Sequence, residues 1–152
     1  LENMNDFVTK MHEKSGLIEE IPLGVTLEEA EAQTLAYIRR FVPVERKAPL
    51  AGNTIGTDRM FLAKYMPKID QWLHYRNVDV SSIKELSRRW YPRVFFQAPS
   101  KDGGHRALAD ILESIRELRY YREAVFVDEP GPSSDDAKTI AQRTVSEFTP
   151  NM

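Results

Sequence analysis

Residues 48–53 read Ala-Pro-Leu-Ala-Gly-Asn, a short run of small and apolar side chains that ends in a turn signal. We predict a brief strand here, followed by a helix over residues 55–66 that Pro67 would end. The same order recurs downstream, where residues 74–80 predict a second strand and residues 82–90 a second helix. Strands that alternate with helices indicate the α/β class, although two strands alone make a poor sheet.

Helices dominate the rest of the sequence. Apolar side chains at spacings of three and four, with start or stop signals around them, predict three further helices, over residues 2–14, 26–41 and 106–124. Capping boxes open two of the predicted helices: Thr26 and Glu29 form the first, and Ser82 and Glu85 form the second.

Segments without regular structure are predicted at three places: residues 18–24, 91–104 and 129–136. The last of them combines prolines, glycine, serines and acidic residues, a composition typical of linkers. Beyond it, the sequence predicts only a weak helix around residues 137–148. We therefore predict one domain over residues 1–126 and a mobile C-terminal tail over residues 127–152.

The composition is that of a soluble globular domain, with 41% apolar and 29% charged residues. No apolar run approaches the roughly 20 residues that span a bilayer, and no basic and apolar leader opens the sequence, so we expect a cytoplasmic protein with no membrane partner. The lack of cysteine excludes disulfides and thiolate metal sites. A net charge of −2 argues against a grip on long duplex nucleic acid, so a nucleic-acid role would need a local site and a small substrate.

A glycine pair precedes His105, and Asp110 follows five residues later. Five residues rotate about 140° on a helix, so the two side chains converge only if His105 lies at or before the helix start. In that position His105 could act as a general base, and Asp110 could hold a hard divalent cation. Taken alone, the pattern favours a simpler alternative, a surface histidine and an aspartate that stabilises its own helix.

Two other groups suit the chemistry of phosphate esters. Asp58 follows the first strand near the start of a helix, where metal ligands often lie, although a helix-stabilising aspartate is the simpler interpretation. Ser81, Ser82 and Lys84 lie where a helix begins, and free amides, a hydroxyl and a lysine there would suit a phosphate. Caps and a solvated lysine are the alternative.

These segments together resemble the oligoribonuclease family, which belongs to the DEDDh exonucleases of ribonuclease-H-like fold. Ala-Gly-Asn-Thr-Ile-Gly-Thr-Asp at residues 51–58 and Gly-Gly-His-Arg-Ala-Leu-Ala-Asp at residues 103–110 carry much of the resemblance, which covers nearly all of residues 1–126. Residues 88–93 and the start of the tail are similar to actinobacterial members. The resemblance implies a ribonuclease-H-like α/β fold, N-terminally truncated so that helices dominate and few strands remain.

The resemblance implies a 3′→5′ exonuclease of short single-stranded RNA and dinucleotides. Asp58 and Asp110 would bind two divalent ions, Mg²⁺ or Mn²⁺, on either side of the scissile phosphate. His105 would deprotonate the attacking water. Thr54, which stands where the family usually has serine, would join Ser81 and Lys84 in capping the 5′-phosphate of the substrate.

Further roles implied by the resemblance concern the ends of the substrate. Tyr75 and Arg76 match residues that reach across a homodimer into the partner's site. Phe7 and His12 match residues that contact the base and the scissile end. A site closed at both ends in this way accepts only very short RNA, which agrees with the lack of a strongly basic charge in this sequence.

One motif of the family is missing. Asp-x-Glu, whose two carboxylates bind metal on the family's first strand, occurs nowhere in residues 1–152. With Asp58 and Asp110 alone, the site would have half its carboxylates and should hold two cations poorly. We therefore expect upstream strands to be missing, and our hypothesis is a fragment of an active enzyme or a misassigned start.

Three alternatives follow from the same residues. A DEDDh exonuclease of another kind would shorten DNA or tRNA ends and spare dinucleotides. A catalytically inactive module for dinucleotide binding or dimerisation would bind dinucleotides without turnover, and the missing Asp-x-Glu motif supports this alternative. An α/β fragment without any activity is the simplest alternative.

Overall fold

A computed structural model describes residues 5–100 and 107–148. Its helices are α1 (Asp6–Lys14), α2 (Leu17–Glu20), a 3-10 helix (Ile21–Leu23), α3 (Leu27–Phe41), α4 (Ile55–Tyr65), α5 (Pro67–Trp72), α6 (Val80–Trp90), α7 (Pro92–Phe96), α8 (Ala107–Val125) and α9 (Ser134–Phe148). The strands are β1 (Pro49–Gly52) and β2 (His74–Asp79). This order confirms the prediction of an α/β fold in which helices dominate.

The two strands lie side by side and run parallel, with Gly52 opposite Asp79 at their carboxyl ends. A parallel pair needs a crossover between its strands, and α4 and α5 make that crossover. Because α4 follows β1 and α6 follows β2, the N-termini of two helices meet at one edge of the sheet. Ligands commonly bind at this kind of edge.

A small hydrophobic cluster joins α3 to α5. Leu35, Ile69 and Leu73 form its centre, and each of these side chains is at most 7% exposed. Trp72 packs against the cluster, and its indole Nε1 donates a hydrogen bond to the carbonyl oxygen of Val42 at 3.1 Å. The cluster therefore packs α3 against α5, which is part of the crossover between the two strands.

Arg59 ties α4 to its neighbours. Its Nε lies 2.6 Å from the carboxylate of Asp70 on α5, and its Nη1 donates a hydrogen bond to the carbonyl oxygen of His74 at 2.8 Å. The side chains of this pair are only 18% and 26% exposed, so water screens the attraction less than it does at a fully exposed pair. The contacts of Arg59 therefore hold α4, and with it Asp58, against α5 and β2.

Two prolines begin helices where the sequence predicts an end or a loop. Pro67 opens α5 directly after α4, and Pro92 opens α7 within the loop predicted over residues 91–104. Proline suits the first helical position because its missing amide would have no intrahelical partner there. Residues 18–24, predicted to be a connector, likewise contain α2 and the 3-10 helix.

The start of α6 also differs from the prediction. The sequence predicts a capping box at Ser82, whereas the helix begins at Val80 with Asp79 as its N-cap. The carboxylate of Asp79 accepts hydrogen bonds from the amide of Ser81 at 3.2 Å and from the hydroxyl of Ser82 at 2.6 Å. The capping box of Thr26 and Glu29 is confirmed at the start of α3.

The tail contains a longer helix than the sequence predicts, because α9 begins at Ser134. The hydroxyl of Ser133 accepts a hydrogen bond from the amide of Asp136 at 3.1 Å, which stabilises that start. Nothing in the geometry tests the predicted mobility of the tail, which stays a prediction. Across the two described ranges, no helix has both the length and the apolar character that crossing a membrane requires.

Candidate active site

A cavity of about 780 Å³ opens at the carboxyl end of β1, and both aspartates predicted to bind metal line it. Asp58 lies in the first turn of α4 and Asp110 in the first turn of α8. The buried side chains of Ile55 and Val80 form part of its apolar wall. The fold thus brings together two carboxylates that are 52 residues apart in the sequence (110 − 58).

The donor atoms at this cavity suit a hard divalent cation, because Mg²⁺ and Mn²⁺ prefer oxygen ligands such as carboxylates. Over residues 5–100 and 107–148, no group of three or more histidines and acids is arranged to hold a metal ion. Asp58 and Asp110 therefore fit part of a metal site by the chemistry of their side chains. His105, the predicted general base, lies outside the described residues.

The hydroxyl groups of Thr54 and Ser81 meet where the two helices begin. Their oxygens lie 3.1 Å apart, and the amide of Thr54 donates a hydrogen bond to the Ser81 Oγ at 2.9 Å. Thr54 is the N-cap of α4 and has a φ of 53°, a left-handed conformation that is rare for a β-branched residue. Two of the three residues predicted to cap a 5′-phosphate are thus in direct contact, and we refer to them as the hydroxyl pair.

Asp79 places the chain's own negative charge at these helix N-termini. Burial raises the pKa of its carboxyl group. The hydrogen bonds from the Ser82 hydroxyl and the Ser81 amide, helped by the nearby amides of Ile55 and Thr54, lower the pKa by more, so the net pKa lies below the ordinary value. The sequence predicts that backbone amides at the start of α6 are free to bind a phosphate. The amide of Ser81 is instead bonded to Asp79, so this amide is not free to bind a phosphate.

We expect alanine at position 79 to lower the free energy of unfolding by about 1 kcal/mol at pH 7, because the helix loses its N-cap. Since the folded-state pKa is lowered, the charged form stabilises the fold above the unfolded pKa of about 3.9, and this stabilisation is lost as the pH falls through the lower, folded-state value. Urea unfolding at pH 7, 5 and 3 measures the difference between protein and variant. A gap that stays the same at pH 3 would contradict the prediction, and Asp79→Asn, which keeps one acceptor oxygen, serves as the control.

Lys84, the third predicted phosphate ligand, forms an ion pair with Glu117 on α8. Its Nζ lies 3.1 Å from Oε1 of Glu117, whose side chain is only 6% exposed. Tyr121 is fully buried one turn further along α8. Burial raises the pKa of the Tyr121 phenol most, and the charges of Glu117 and Tyr120 raise it further. Lys84 therefore joins α6 to α8 and offsets a buried carboxylate, whatever else it binds.

The predicted 5′-phosphate ligands Thr54, Ser81 and Lys84 do not line the cavity, and the other predicted substrate contacts do not line it either. Tyr75 and Arg76 are exposed on β2, where Arg76 Nε donates a hydrogen bond to the Tyr75 hydroxyl at 3.1 Å. Phe7 is exposed on α1, and His12 is partly buried on the same helix. None of these four side chains lines the cavity of its own chain.

Asn53, Glu113 and Ser114 line the cavity but carry no role in the sequence-based prediction. The helical period offers a signal for the last two, because residues three and four positions after Asp110 lie on the same face of α8. Asn53 lies inside the strand-to-helix motif, and its long-range hydrogen bonds with Ser81 and Ser114 distinguish it from a turn residue.

Comparisons with known proteins agree with the resemblance. The model of the RNase T family, described as an exonuclease, matches residues 1–118. The chain is 67% identical to an oligoribonuclease of Leifsonia xyli subsp. xyli over 152 residues, which are 100% of this chain and 73% of that protein. It is 60% identical to an oligoribonuclease of Streptomyces avermitilis over 145 residues, which are 95% of this chain and 72% of that protein. An oligoribonuclease of Cutibacterium acnes is 60% identical over 143 residues, which are 94% of this chain and 71% of that protein.

Proposed function

Because the chain belongs to the oligoribonucleases of the RNase T exonuclease family, we propose that it is a 3′→5′ exoribonuclease that degrades short oligoribonucleotides and dinucleotides to mononucleotides. The observation that carries the proposal is the pair of carboxylates, Asp58 and Asp110, on one open cavity beside the hydroxyl pair. The acidic side of that cavity would receive the scissile phosphate, and the hydroxyl pair, which is next in sequence to the lining residues Asn53, Ile55 and Val80, would receive the 5′-phosphate.

In this proposal, Asp58 and Asp110 would hold two divalent ions, Mg²⁺ or Mn²⁺. Such ions activate water as a nucleophile and stabilise the charge on the attacking and leaving oxygens. His105 takes the proton of the attacking water. The oxygen of that water bonds to phosphorus as the bond between phosphorus and the 3′-oxygen of the preceding nucleotide breaks. The 3′-oxygen takes up a proton and becomes a hydroxyl, and the 3′-terminal nucleotide is released as a 5′-monophosphate.

The remaining family residues would hold the substrate. Ser81, Thr54 and Lys84 would bind the 5′-phosphate, and Lys84 would do so while its ammonium group is paired with Glu117 on α8. We propose that the protein acts in the cytoplasm as a homodimer in which Tyr75 and Arg76 reach the partner's site, and their exposure on β2 is compatible with that role. Phe7 and His12 would contact the base and the scissile end.

Hydrolysis of a 5′-labelled RNA dinucleotide with Mn²⁺ tests the proposal. We expect labelled mononucleotide from the dinucleotide, and successive shortening from the 3′ end when the substrate is a labelled pentamer. The DNA dinucleotide of the same sequence is the matched control. Long RNA or DNA that shortens while dinucleotides persist would overturn the proposal in favour of another kind of exonuclease. Dinucleotide binding without any cleavage would indicate the inactive binding module.

A further inference from the structure

Asn53 links the hydroxyl pair to α8. Its side-chain oxygen accepts a hydrogen bond from the Ser81 hydroxyl at 3.3 Å, and its Nδ2 donates one to the hydroxyl of Ser114 at 2.9 Å. Its partners lie 28 and 61 residues away in the sequence. A carboxamide carries both an acceptor and a donor, so a single asparagine can bridge a hydroxyl on α6 and a hydroxyl on α8.

Ser114 continues the link to Asp110. Its hydroxyl accepts the hydrogen bond of Asn53 and donates one to the carbonyl oxygen of Asp110 at 2.9 Å. The donors and acceptors match throughout: Ser81 donates to Asn53, Asn53 donates to Ser114, and Ser114 donates to the backbone of Asp110. We call these three bonds the Asn53 bridge.

The two ends of the Asn53 bridge are the two places where the proposed substrate is held. The hydroxyl pair would bind the 5′-phosphate, and Asp110 would bind the ion at the scissile phosphate. In a dinucleotide, one nucleoside separates these two phosphates. A bridge of fixed length between their binding groups therefore matches a substrate of fixed length, because hydrogen bonds restrict the geometry of both ends.

We propose that Asn53 and Ser114 are positioning residues that set the spacing between the 5′-phosphate cap and Asp110, and thereby favour 5′-phosphorylated dinucleotides over longer RNA. This inference rests on the proposed function. Neither side chain would touch the attacking water or the scissile phosphate. Both act by placing Asp110 relative to the hydroxyl pair, and small displacements of catalytic groups can lower rates by large factors.

The test compares kcat/KM for a 5′-phosphorylated RNA dinucleotide with kcat/KM for a 5′-phosphorylated pentamer. We expect Asn53→Ala to reduce the ratio of the two values about tenfold, with most of the loss on the dinucleotide. Asn53→Leu removes both the acceptor and the donor and keeps a side chain of similar size, so it should give a similar loss without removing side-chain volume. Ser114→Ala should reduce the ratio as well, and the double variant Asn53→Ala/Ser114→Ala should be no worse than either, since both single changes break one link.

Ser87→Ala is the matched control. The hydroxyl of Ser87 also donates to the carbonyl oxygen four residues earlier, at 2.8 Å from Ile83, but it lies on α6 outside the Asn53 bridge. It should leave the ratio unchanged. A residue with a merely structural role would lower both kcat/KM values by the same factor, so equal losses in Asn53→Ala would overturn the inference.

Equilibrium binding of the same two RNAs, with Ca²⁺ in place of the catalytic metal, separates the two proposals. A wild-type protein that neither cleaves nor binds either RNA overturns the proposed function and this inference with it. If the wild-type protein prefers the dinucleotide in binding or cleavage and the variants keep that preference, the inference alone is overturned. A preference that Asn53→Leu and Ser114→Ala both reduce supports it.

Discussion

Replacing Asp110 with alanine is expected to lower kcat/KM for the RNA dinucleotide by about 10³-fold, the size of loss seen when a group that stabilises developing charge is removed. Asp110 lies in the first turn of α8 and lines the cavity together with Asp58. In the proposed reaction it holds a cation at the scissile phosphate, and its loss leaves Asp58 as the remaining acid of the proposed pair. Asp58→Ala should have a similar effect for the same reason.

The alternative role of Asp110 is stabilisation of its own helix, and Asp135 tests it. Asp135 is also a first-turn aspartate, on α9, and Asp135→Ala should leave the rate unchanged. The affinity for Mn²⁺, measured by electron paramagnetic resonance, gives a second readout that needs no turnover. Rates and Mn²⁺ affinities that are equal in the protein and in Asp110→Ala would show that the carboxylate serves the helix only.

Replacing Lys84 with methionine is expected to destabilise the fold by about 2 kcal/mol and to weaken binding of the 5′-phosphorylated dinucleotide about tenfold. The stability loss arises because Lys84 neutralises the buried Glu117, at 3.1 Å across α6 and α8. The affinity loss arises because the ammonium group is a proposed ligand of the 5′-phosphate. Methionine has a similar length, so it preserves most of the packing of the aliphatic stem.

A second change distinguishes the two effects. Glu117→Gln removes the buried charge, so the double variant Lys84→Met/Glu117→Gln should regain much of the stability in urea unfolding. It should not regain the affinity for the dinucleotide, since the cation is still absent. Lys138→Met, at an exposed position on α9, should change neither quantity. Recovery of affinity together with stability would mean that Lys84 acts on the fold alone.

Elements with a long apolar period or a complete cap could be predicted from the sequence. α3 begins with a full capping box, and α4 and α8 have start or stop signals in the sequence. The strands β1 and β2 are short runs of apolar or β-favouring residues next to turn signals. The short helices α5 and α7 could not be predicted, because proline has two opposite meanings. A proline inside a helix ends that helix, whereas a proline at the first position starts a helix. Only the packing of the folded chain decides which of the two occurs.

The candidate site divides in a similar way. The family motif contains Asp58 and Asp110, and the fold places both on one cavity, while their role as metal ligands stays a prediction. The pairing of Lys84 with Glu117 and the Asn53 bridge could not be predicted, since each joins residues from distant parts of the chain. Asp79 was missed as the cap of α6 because a serine three residues later offers an equally good pattern.

At Thr54, which has a left-handed backbone conformation, a substitution that stabilises the fold would be expected to lower activity. A β-branched residue with a φ of 53° is strained, and glycine or asparagine would adopt this conformation at lower cost. Selection for heat resistance would therefore favour Thr54→Gly or Thr54→Asn, and either change would remove a hydroxyl from the hydroxyl pair. A thermostabilised descendant of this protein would best be built by leaving position 54 alone and gaining its stability on surfaces far from the cavity.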